Sequence, residues 1–358
     1  MTRFDDCLAV TLDQDNFTSV NPSPVVPMFF RAVGVPMHGK DDPQHKAERD
    51  PFSLALRPAA LRRNWMDLFE ETSARYIDRM RQLGPGADLL SQYAEPFVAD
   101  NLSAMLGFAD LPHEDFVKWS HTLVEAATTD VGPSPEGEAE LWDRSIRVSA
   151  EIDLAIDEAI ERTRREPDGS VIATLSDPQL GAPLDTIRAN VKLAISGGMN
   201  EPSHVLAGAV WALLSAPEQY RAVESGERSH VDVFDEAARL LTPLGMVGRF
   251  ARRDTELAGV PIPAGAPMGL VLAAANHDEL RFPDPERFDL YRDRVSHLAF
   301  GNGTHLCVGS HAARTMIAKV GLPRLFDQLP NLRLTDADAV SYSGWVFRSP
   351  NAVQVDWD

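Results

Sequence analysis

Apolar residues recur every three to four positions along most of the chain, which is the spacing of amphipathic α-helices. This periodicity predicts helices at about 44–77 (with a break at Arg57-Pro58), 92–107, 113–127, 137–165, 184–215, 231–242 and 310–326. The pattern changes in the second half of the chain, where residues 247–273 and 331–357 are typical of short strands joined by tight turns. The sequence therefore predicts a mainly α protein with small β-sheets.

The composition limits the possible partners. The 358 residues include 34 basic and 53 acidic side chains, a formal net charge of −19. This balance argues against nucleic acid and anionic membranes as partners. No apolar run of about 18 residues predicts a membrane span, and the first residues are unlike a signal peptide. With only Cys7 and Cys307 available, we expect no disulfide framework and a reducing, cytoplasmic location.

A glycine-containing loop at residues 300–309 ends in a cysteine just before a predicted helix. Gly301 and Gly303 allow a tight turn and a close approach to a flat ligand. Cys307 precedes the helix, whose free amides and positive dipole end stabilise a thiolate. A thiolate is a good soft ligand for iron. For a lone cysteine, the alternative is a buried free thiol beside an ordinary glycine turn.

Three further features accompany this loop. Glu236 and Arg239 are three residues apart on one predicted helix face, where they can pair, although such pairs usually lie in solvent. His45 and Arg49 are one helical turn apart and can reach the same anion. A proline-rich segment at 281–288 lies between Arg239 and the loop.

Together these features resemble the cytochrome P-450 superfamily, the haem-thiolate monooxygenases. The loop fits the family pattern F-x-x-G-x-x-x-C-x-G through Phe300, Gly303, Cys307 and Gly309. The helix fits E-x-x-R, and the proline-rich segment stands between the two motifs as in the family. The resemblance covers essentially the whole chain. It implies a single cytochrome P-450 domain over residues 1–358, a triangular prism of helices around haem b.

The resemblance also implies roles for particular residues. Cys307 becomes the axial ligand of the haem iron, and the Glu236–Arg239 pair becomes structural. The haem propionates are carboxylates, to which arginine and histidine donate charge-assisted hydrogen bonds. Their expected partners are His45, Arg49, Arg249 and His305. Further contacts with the haem are expected from Phe300, Gly301, Gly309, Gly197 and Gly198.

The long central helix departs from the family pattern, in which an acid followed by a threonine manages proton delivery. Here Asn200 stands at the acid position and Glu201 at the threonine position, which makes both candidate catalytic residues. Gly197 and Gly198 leave room on the same face for a small ligand. Pro202 has no N–H, so the helix should kink there.

Three interpretations of Glu201 remain open. A carboxylate above the iron can act as a general acid and base, so Glu201 could take a proton from hydrogen peroxide and return it to the departing oxygen. That chemistry would permit peroxygenase turnover without electron donors. Alternatively, Glu201 relays protons in an ordinary oxygen cycle driven by a separate ferredoxin and reductase. In the third interpretation it turns away and pairs with His204 or a nearby arginine.

The expected substrate is a small or medium hydrophobic organic molecule that undergoes hydroxylation or O-dealkylation. Its pocket is predicted to include Val26, Phe29, Leu244, Val247 and Val346. Residues 21–44 are interpreted as a loop with apolar side chains, and the acidic segment 128–138 as a lid. A positive docking patch for the ferredoxin is expected from Arg57, Arg62, Arg63, Arg252 and Arg253.

Two alternatives belong to other functional classes. One is a haem-binding protein without oxygenase activity, either a sensor or a degenerate enzyme. The other is a haem-thiolate catalyst of isomerisation or dehydration. The resemblance also implies a family segment before residue 1, containing a helix and the first strands. We therefore expect these elements to be missing, as they would be if the start codon were placed inside a longer reading frame.

Overall fold

The computed structural model describes residues 1–24, 26–108, 111–129, 138–293 and 296–358. The predicted lid at 128–138 therefore falls almost wholly outside the described residues. Contacts divide the chain into two compact units. Unit 1 contains Met1–Phe17, Met66–Phe97 and Glu201–Asp358, and unit 2 contains Thr18–Trp65 and Val98–Asn200. The assignment of a single domain stays a prediction.

Helices dominate the described chain. The α-helices are α1 Phe4–Leu12, α2 Met28–Val33, α3 Gln44–Leu54, α4 Pro58–Asn64, α5 Met66–Leu83, α6 Glu95–Leu106, α7 His113–Thr129, α8 Glu138–Arg165, α9 Val171–Leu175, α10 Leu184–Gly198, α11 Asn200–Leu214, α12 Pro217–Glu224, α13 His230–Leu241, α14 Leu272–Ala275, α15 Ser310–Ala313 and α16 Leu322–Gln328. Short 3-10 helices span Met37–Gly39 and Gly303–His305. Two π-helices span Leu90–Ala94 and Arg314–Gly321.

The strands are short. They are β1 Phe17–Thr18, β2 Ala87–Asp88, β3 Val247–Ala251, β4 Thr255–Leu257, β5 Val260–Ile262, β6 Pro267–Leu270, β7 Arg333–Leu334, β8 Tyr342–Ser343, β9 Ser349–Pro350 and β10 Gln354–Asp356. In unit 1, β3 pairs antiparallel with β6, with Val247 opposite Leu270. This unit also contains the antiparallel order β2-β10-β7 and the hairpins β4-β5 and β8-β9.

Helix α13 of unit 1 has clear start and stop signals. Ser229 and Asp232 form a reciprocal capping box at its start. The helix ends where Thr242 adopts a left-handed conformation, with φ of 40°. Its buried face includes both Glu236 and Arg239, so the two charged residues of the E-x-x-R motif point into the protein.

Helix α1 contributes to the core beside the cysteine loop. Phe4, Cys7 and Val10 of α1 pack in one cluster with Phe282 and Leu298. Asp278 fixes the start of the helix, since its carboxylate accepts from the Phe4 amide at 2.9 Å. Because Leu298 is buried in this cluster, the chain is anchored two residues before the loop begins.

In unit 2, the amphipathic helix α8 buries a stripe of apolar residues that includes Leu141, Val148 and Ile152. One buried cation lies among the helices of this unit. Lys192 of α10 donates to Ser149 Oγ at 2.9 Å and pairs with Asp153 Oδ1 at 2.8 Å. Burial lowers the pKa of Lys192, and its pairing with Asp153 opposes that effect.

The predicted helical and strand regions are confirmed, although 44–77, 184–215 and 310–326 each contain more than one helix, and one prediction is wrong. Segment 21–44 was predicted to be a loop, but it contains α2 and a 3-10 turn. Helix α2 has only six residues between Pro27 and Gly34, too few for a helical period to be recognised. Among the described helices, none is long and apolar enough to cross a membrane.

Candidate active site

The cysteine loop is partly exposed along its length. None of the residues from Phe300 to Ser310 is buried, although the segment includes apolar Phe300, Leu306 and Val308. Cys307 is exposed, and its amide donates to the Phe300 carbonyl at 2.8 Å. Cys7, the other cysteine, is fully buried, and burial raises the pKa of its thiol to about 11. Cys307 is therefore the cysteine suited to bind an incoming group.

Two glycines give the loop its shape. Gly301 and Gly303 both have φ of 66°, a left-handed conformation that glycine adopts without strain. At Gly303 a Cβ atom would also lie 2.4 Å from the Thr11 carbonyl oxygen of α1. At Gly301 the nearest atom, the His305 carbonyl oxygen, would be 3.6 Å away. Position 303 therefore requires glycine for its conformation and for its close approach to α1.

Glu236 and Arg239 form a buried bidentate pair. Two nitrogens of Arg239 donate to the two carboxylate oxygens of Glu236, each at 2.8 Å. The Arg239 guanidinium also donates to the carbonyls of Asn276 and Pro285, at 2.9 Å each. Arg292 donates its Nε to the same Glu236 at 3.1 Å. The pair fastens α13 to the proline-rich segment, which agrees with the predicted structural role.

Asn276 extends this network to the cysteine loop. Its side chain is fully buried and donates to Thr242 Oγ1 at 2.8 Å. Its Oδ1 accepts from the Leu298 amide at 2.7 Å. A continuous set of hydrogen bonds thus joins Arg239 to the residue two positions before Phe300.

The predicted propionate partners divide between the two units. In unit 1, His305 lies half-buried at the end of the 3-10 turn, and Arg249 lies on β3 with Nη1 donating to the Gly248 carbonyl. In unit 2, His45 is buried on α3, with Nδ1 3.2 Å from Asp42 Oδ1. Arg49 is half-buried one turn further along the same helix. Each unit therefore holds one histidine and one arginine of the predicted set.

The central helix is interrupted as predicted. Helix α10 ends at Gly198 and α11 begins at Asn200, and Met199 between them has a φ of −103° and lies outside both helices. Around Gly197 there is open space among the described residues. Gly198 differs, because a Cβ atom there would lie 2.9 Å from Leu102. The small residue at 198 is thus needed for helix packing, a reason different from the predicted room for a ligand.

Asn200 is buried and bonded to α7. Its Nδ2 donates to Ser120 Oγ at 3.1 Å, and its side chain also hydrogen-bonds His121. These contacts give the amide a role in fixing the start of α11 to α7 within unit 2. A direct catalytic role for Asn200 stays a prediction.

Glu201 has the chemistry of a buried acid. The residue is half-buried, but its Oε2 is wholly shielded and has no hydrogen-bond partner among the described residues. Burial raises the pKa of Glu201 to about 7, and a hydrogen bond from its own backbone opposes the effect. Over the part of the chain that the structure describes, no ion pair joins Glu201 to His204 or to an arginine. The interpretation in which Glu201 pairs with a cation is therefore not supported.

The predicted pocket residues also fall in both units. In unit 1, Leu244 bridges to Phe347, and the Gly245 amide donates to the Val346 carbonyl at 2.7 Å. This bridge brings two predicted pocket segments together, and Val247 follows at the start of β3. In unit 2, Phe29 is buried against Phe30 and His38, whereas Val26 is 46% exposed.

Sequence reasoning missed several residues of the site, among them Arg292, Asn276 and His297. His297 is half-buried beside Phe300, with ring centroids 5.9 Å apart, and desolvation lowers the pKa of its imidazole to about 4. Its position just before the loop was a usable signal. Arg292 and Asn276 gave no local signal, because their partners lie far away in the sequence.

The residues present fit haem b. An exposed thiol stands on a loop with unburied apolar side chains and two left-handed glycines, which suits a flat apolar group with a metal at its centre. Arg249 and His305 in the same unit are donors suited to carboxylates. The second cysteine is unsuited to this role, because its thiol is buried and holds its proton.

Comparison with known proteins identifies the family to which this chain is similar. The family model described as Cytochrome P450 matches residues 231–328. Pentalenic acid synthase of Streptomyces avermitilis is 30% identical over 319 residues, which cover 87% of this chain and 75% of that protein. Nocardicin C N-oxygenase of Nocardia uniformis subsp. tsuyamanensis is 28% identical over 330 residues, covering 90% of this chain and 79% of that protein.

Solved structures agree on the fold. The structure of P450BioI in complex with hexadec-9Z-enoic acid ligated acyl carrier protein matches with a TM-score of 0.88 at 23% identity. The match covers 100% of this chain and 91% of that chain. The protein belongs to the cytochrome P-450 family and has its fold. Members of this family are monooxygenases that bind haem b through a cysteine thiolate, so haem b is the cofactor of this chain.

Proposed function

We propose that this protein inserts one oxygen atom into a small or medium hydrophobic organic substrate, by hydroxylation or O-dealkylation. The observation that carries the proposal is the exposed Cys307 at the end of a loop that matches the family motif. The apolar side chains of Phe29, Leu244 and Val346 support a hydrophobic substrate. When bound, haem with a thiolate ligand supplies the activation of dioxygen or peroxide and the transfer of one oxygen atom.

The protein's own residues bind and orient this cofactor. Cys307 provides the thiolate to the iron. His45, Arg49, Arg249 and His305 donate to the propionates, supported by their residue types and by the family resemblance. Gly197 leaves open space beside the central helix, which is consistent with a small molecule binding there. The Glu236–Arg239 pair holds α13 and the proline-rich segment in place and takes no part in chemistry.

Glu201 is the proposed proton-transfer residue. With hydrogen peroxide as oxidant, its carboxylate accepts a proton from one peroxide oxygen and donates it to the other, which leaves as water. The substrate gains the remaining oxygen atom, so peroxide and substrate give alcohol and water. A group with a pKa of about 7 can both accept and donate a proton near neutral pH.

A second route uses dioxygen with electrons from a ferredoxin and a ferredoxin reductase. In this route Glu201 relays protons, and the missing acid–threonine pair is replaced by Asn200 and Glu201. The family membership favours this route, whereas the shielded Oε2 of Glu201, which has no hydrogen-bond partner among the described residues, favours peroxide. The two routes differ in whether turnover requires an electron donor.

The cofactor assignment is tested by the carbon monoxide difference spectrum of the reduced protein. We expect the strongly red-shifted Soret band of a thiolate complex in the wild type and in Cys7→Ser. Cys307→Ser should lose that band, because serine offers no thiolate. A wild-type spectrum without the red-shifted band would support the alternative of a haem-binding protein that is not an oxygenase.

The oxidant is tested by comparing Glu201→Thr and Glu201→Gln with the wild type. In the peroxide route, both variants should lose most peroxide-supported product formation, by about 10²-fold or more for a lost general acid–base. Glu218→Gln, an exposed residue of α12, serves as the matched control and should keep wild-type rates. Unchanged or higher peroxide activity in Glu201→Thr would exclude the peroxide route and leave the ferredoxin route.

A further inference from the structure

The ring of Phe300, the first residue of the cysteine loop, is held by side chains from three directions. Phe234 of α13 lies parallel to it, with ring centroids 6.1 Å apart and an interplanar angle of 30°. His297 contacts it from the preceding turn at 5.9 Å. The guanidinium carbon of Arg314 lies 5.6 Å from the ring centroid of Phe300 and equally far from that of Phe234.

Arg314 is itself fixed in place by an ion pair. It stands at the start of the π-helix that follows the loop, and both its Nε and Nη2 donate to Asp235 Oδ1, at 3.0 and 2.6 Å. Asp235 is the neighbour of Phe234 on α13. The pair therefore joins the helix after the loop to the E-x-x-R helix, directly beside the Phe300 ring.

Phe300 is linked to Cys307 by a backbone hydrogen bond. Its carbonyl accepts the hydrogen bond from the Cys307 amide at 2.8 Å. Other hydrogen bonds also hold the loop, such as that from the Leu306 amide to the Gly303 carbonyl at 3.1 Å, but the bond at Phe300 reaches the Cys307 backbone directly. A change in the position of Phe300 would thus move the amide that orients Cys307.

We propose that Arg314 and Asp235 are positioning residues for the Cys307 thiolate. The ion pair holds the Phe300 ring between α13 and the helix after the loop, and the Phe300 carbonyl in turn holds the Cys307 amide. The inference rests on the proposed function, in which Cys307 binds the haem iron. It adds two residues that lie outside the loop motif and outside the Glu236–Arg239 network.

The test uses Arg314→Gln and Asp235→Asn in the haem-loaded protein. In both variants we expect the ratio of the thiolate form to the form without thiolate, read from the reduced carbon monoxide spectrum, to fall about fivefold, the scale of one half-exposed ion pair. Arg314→Lys keeps the positive charge and should recover part of the thiolate form.

The matched control is Arg324→Gln. Arg324 of α16 pairs with Glu70 of α5 in the same unit, with similar exposure, and makes no described contact with the loop. This variant should keep the wild-type spectrum even if it lowers the melting temperature as much as Arg314→Gln does. Equal loss of the thiolate form in Arg324→Gln would overturn the positioning role, as would wild-type spectra in both Arg314→Gln and Asp235→Asn.

A second measurement tests the restraint on the loop directly and does not depend on which ligand the haem iron has. Hydrogen exchange of the Cys307 amide, followed in peptides that cover residues 300–309, should accelerate about fivefold in Arg314→Gln and stay unchanged in Arg324→Gln. If the wild type itself shows no thiolate spectrum, the proposed function fails, whereas exchange still tests the restraint on the loop. Unchanged exchange in Arg314→Gln would overturn the inference on its own.

Discussion

At the scale of single residues, Glu201 combines a shielded carboxylate oxygen with a pKa that burial raises to about 7. Its ordinary pKa is 4.5. The folded state therefore holds the proton more tightly than the unfolded chain does. The contribution of Glu201 to the free energy of unfolding is therefore fully present below pH 4.5. It is lost as the pH rises through about 7, where the buried carboxylate ionises.

Glu201→Gln should remove this pH dependence. The neutral amide has nearly the same shape, so the variant is expected to gain stability relative to the wild type at pH 8 but not at pH 4.5. The gain is at most about 3.5 kcal/mol, because the pKa is raised from 4.5 to about 7 and one pKa unit corresponds to about 1.4 kcal/mol. Denaturant unfolding at a series of pH values measures the difference between the two proteins. A difference that is the same at all pH values would show that Glu201 titrates normally.

The two loop glycines make a second prediction at this scale. Gly303→Ala should destabilise the protein clearly more than Gly301→Ala, although both residues have the same φ of 66°. Alanine at either position costs about 1 kcal/mol or more for the left-handed conformation. At position 303 the new Cβ would also meet the Thr11 carbonyl oxygen at 2.4 Å. Thermal unfolding of the two variants compares these costs, and equal losses would contradict the predicted contact with α1.

At the scale of elements, the E-x-x-R motif shows that a local pattern gains meaning only from its surroundings. The same pattern occurs on α8 as Glu161 and Arg164, which pair at 3.1 Å with side chains 62% and 54% exposed. On α13 the exposures are 8% and 2% for Glu236 and Arg239. One sequence pattern therefore gives a solvated surface pair in one helix and a buried anchor in the other.

Breaking the buried pair should cost far more than breaking the exposed pair. Arg239→Ala leaves the Glu236 carboxylate buried without Arg239, and removal of one partner from a buried pair typically costs about 3–5 kcal/mol. Arg164→Ala should cost no more than about 0.5 kcal/mol. Denaturant unfolding of both variants provides the comparison. Similar losses would mean that the α13 pair does not anchor the proline-rich segment.

The helices show what the sequence predicts well and what it does not. Periodic apolar positions predicted α8 and the long central helix, and Pro202 predicted the interruption of the latter at Met199. The sequence did not predict α2, because six residues hold less than two helical turns. It also did not predict the π-helix Arg314–Gly321, whose register depends on packing rather than on local pattern.

The candidate site likewise contains residues that the local sequence predicts and residues that only the fold brings together. The loop glycines and Cys307 were predictable, because local backbone geometry and thiolate chemistry act within ten residues. Arg292 was not, since its contact with Glu236 joins residues that are 56 positions apart. The burial of Glu201 was also not predictable, because desolvation depends on every element packed around it.

At the scale of the whole molecule, the net charge of −19 bears on the proposed electron donor. A protein with this charge repels an acidic donor at long range, and salt should relieve that repulsion and raise the association rate. Arg57, Arg62 and Arg63 lie exposed at and around α4 in unit 2. If these arginines form the docking surface, their local attraction should outweigh the distant charges, and the rate should fall with salt.

The double variant Arg62→Gln/Arg63→Gln tests this docking surface. We expect it to slow reduction of the haem by a ferredoxin about tenfold at low ionic strength, and to flatten the fall of the rate with salt. The control is Arg164→Gln/Arg165→Gln at the end of α8, which removes the same charge from another exposed site. Stopped-flow reduction from low to physiological ionic strength measures both rates. Equal slowing in the two double variants would show that only the net charge matters, and a wild-type rate that rises with salt would exclude a basic docking surface at α4.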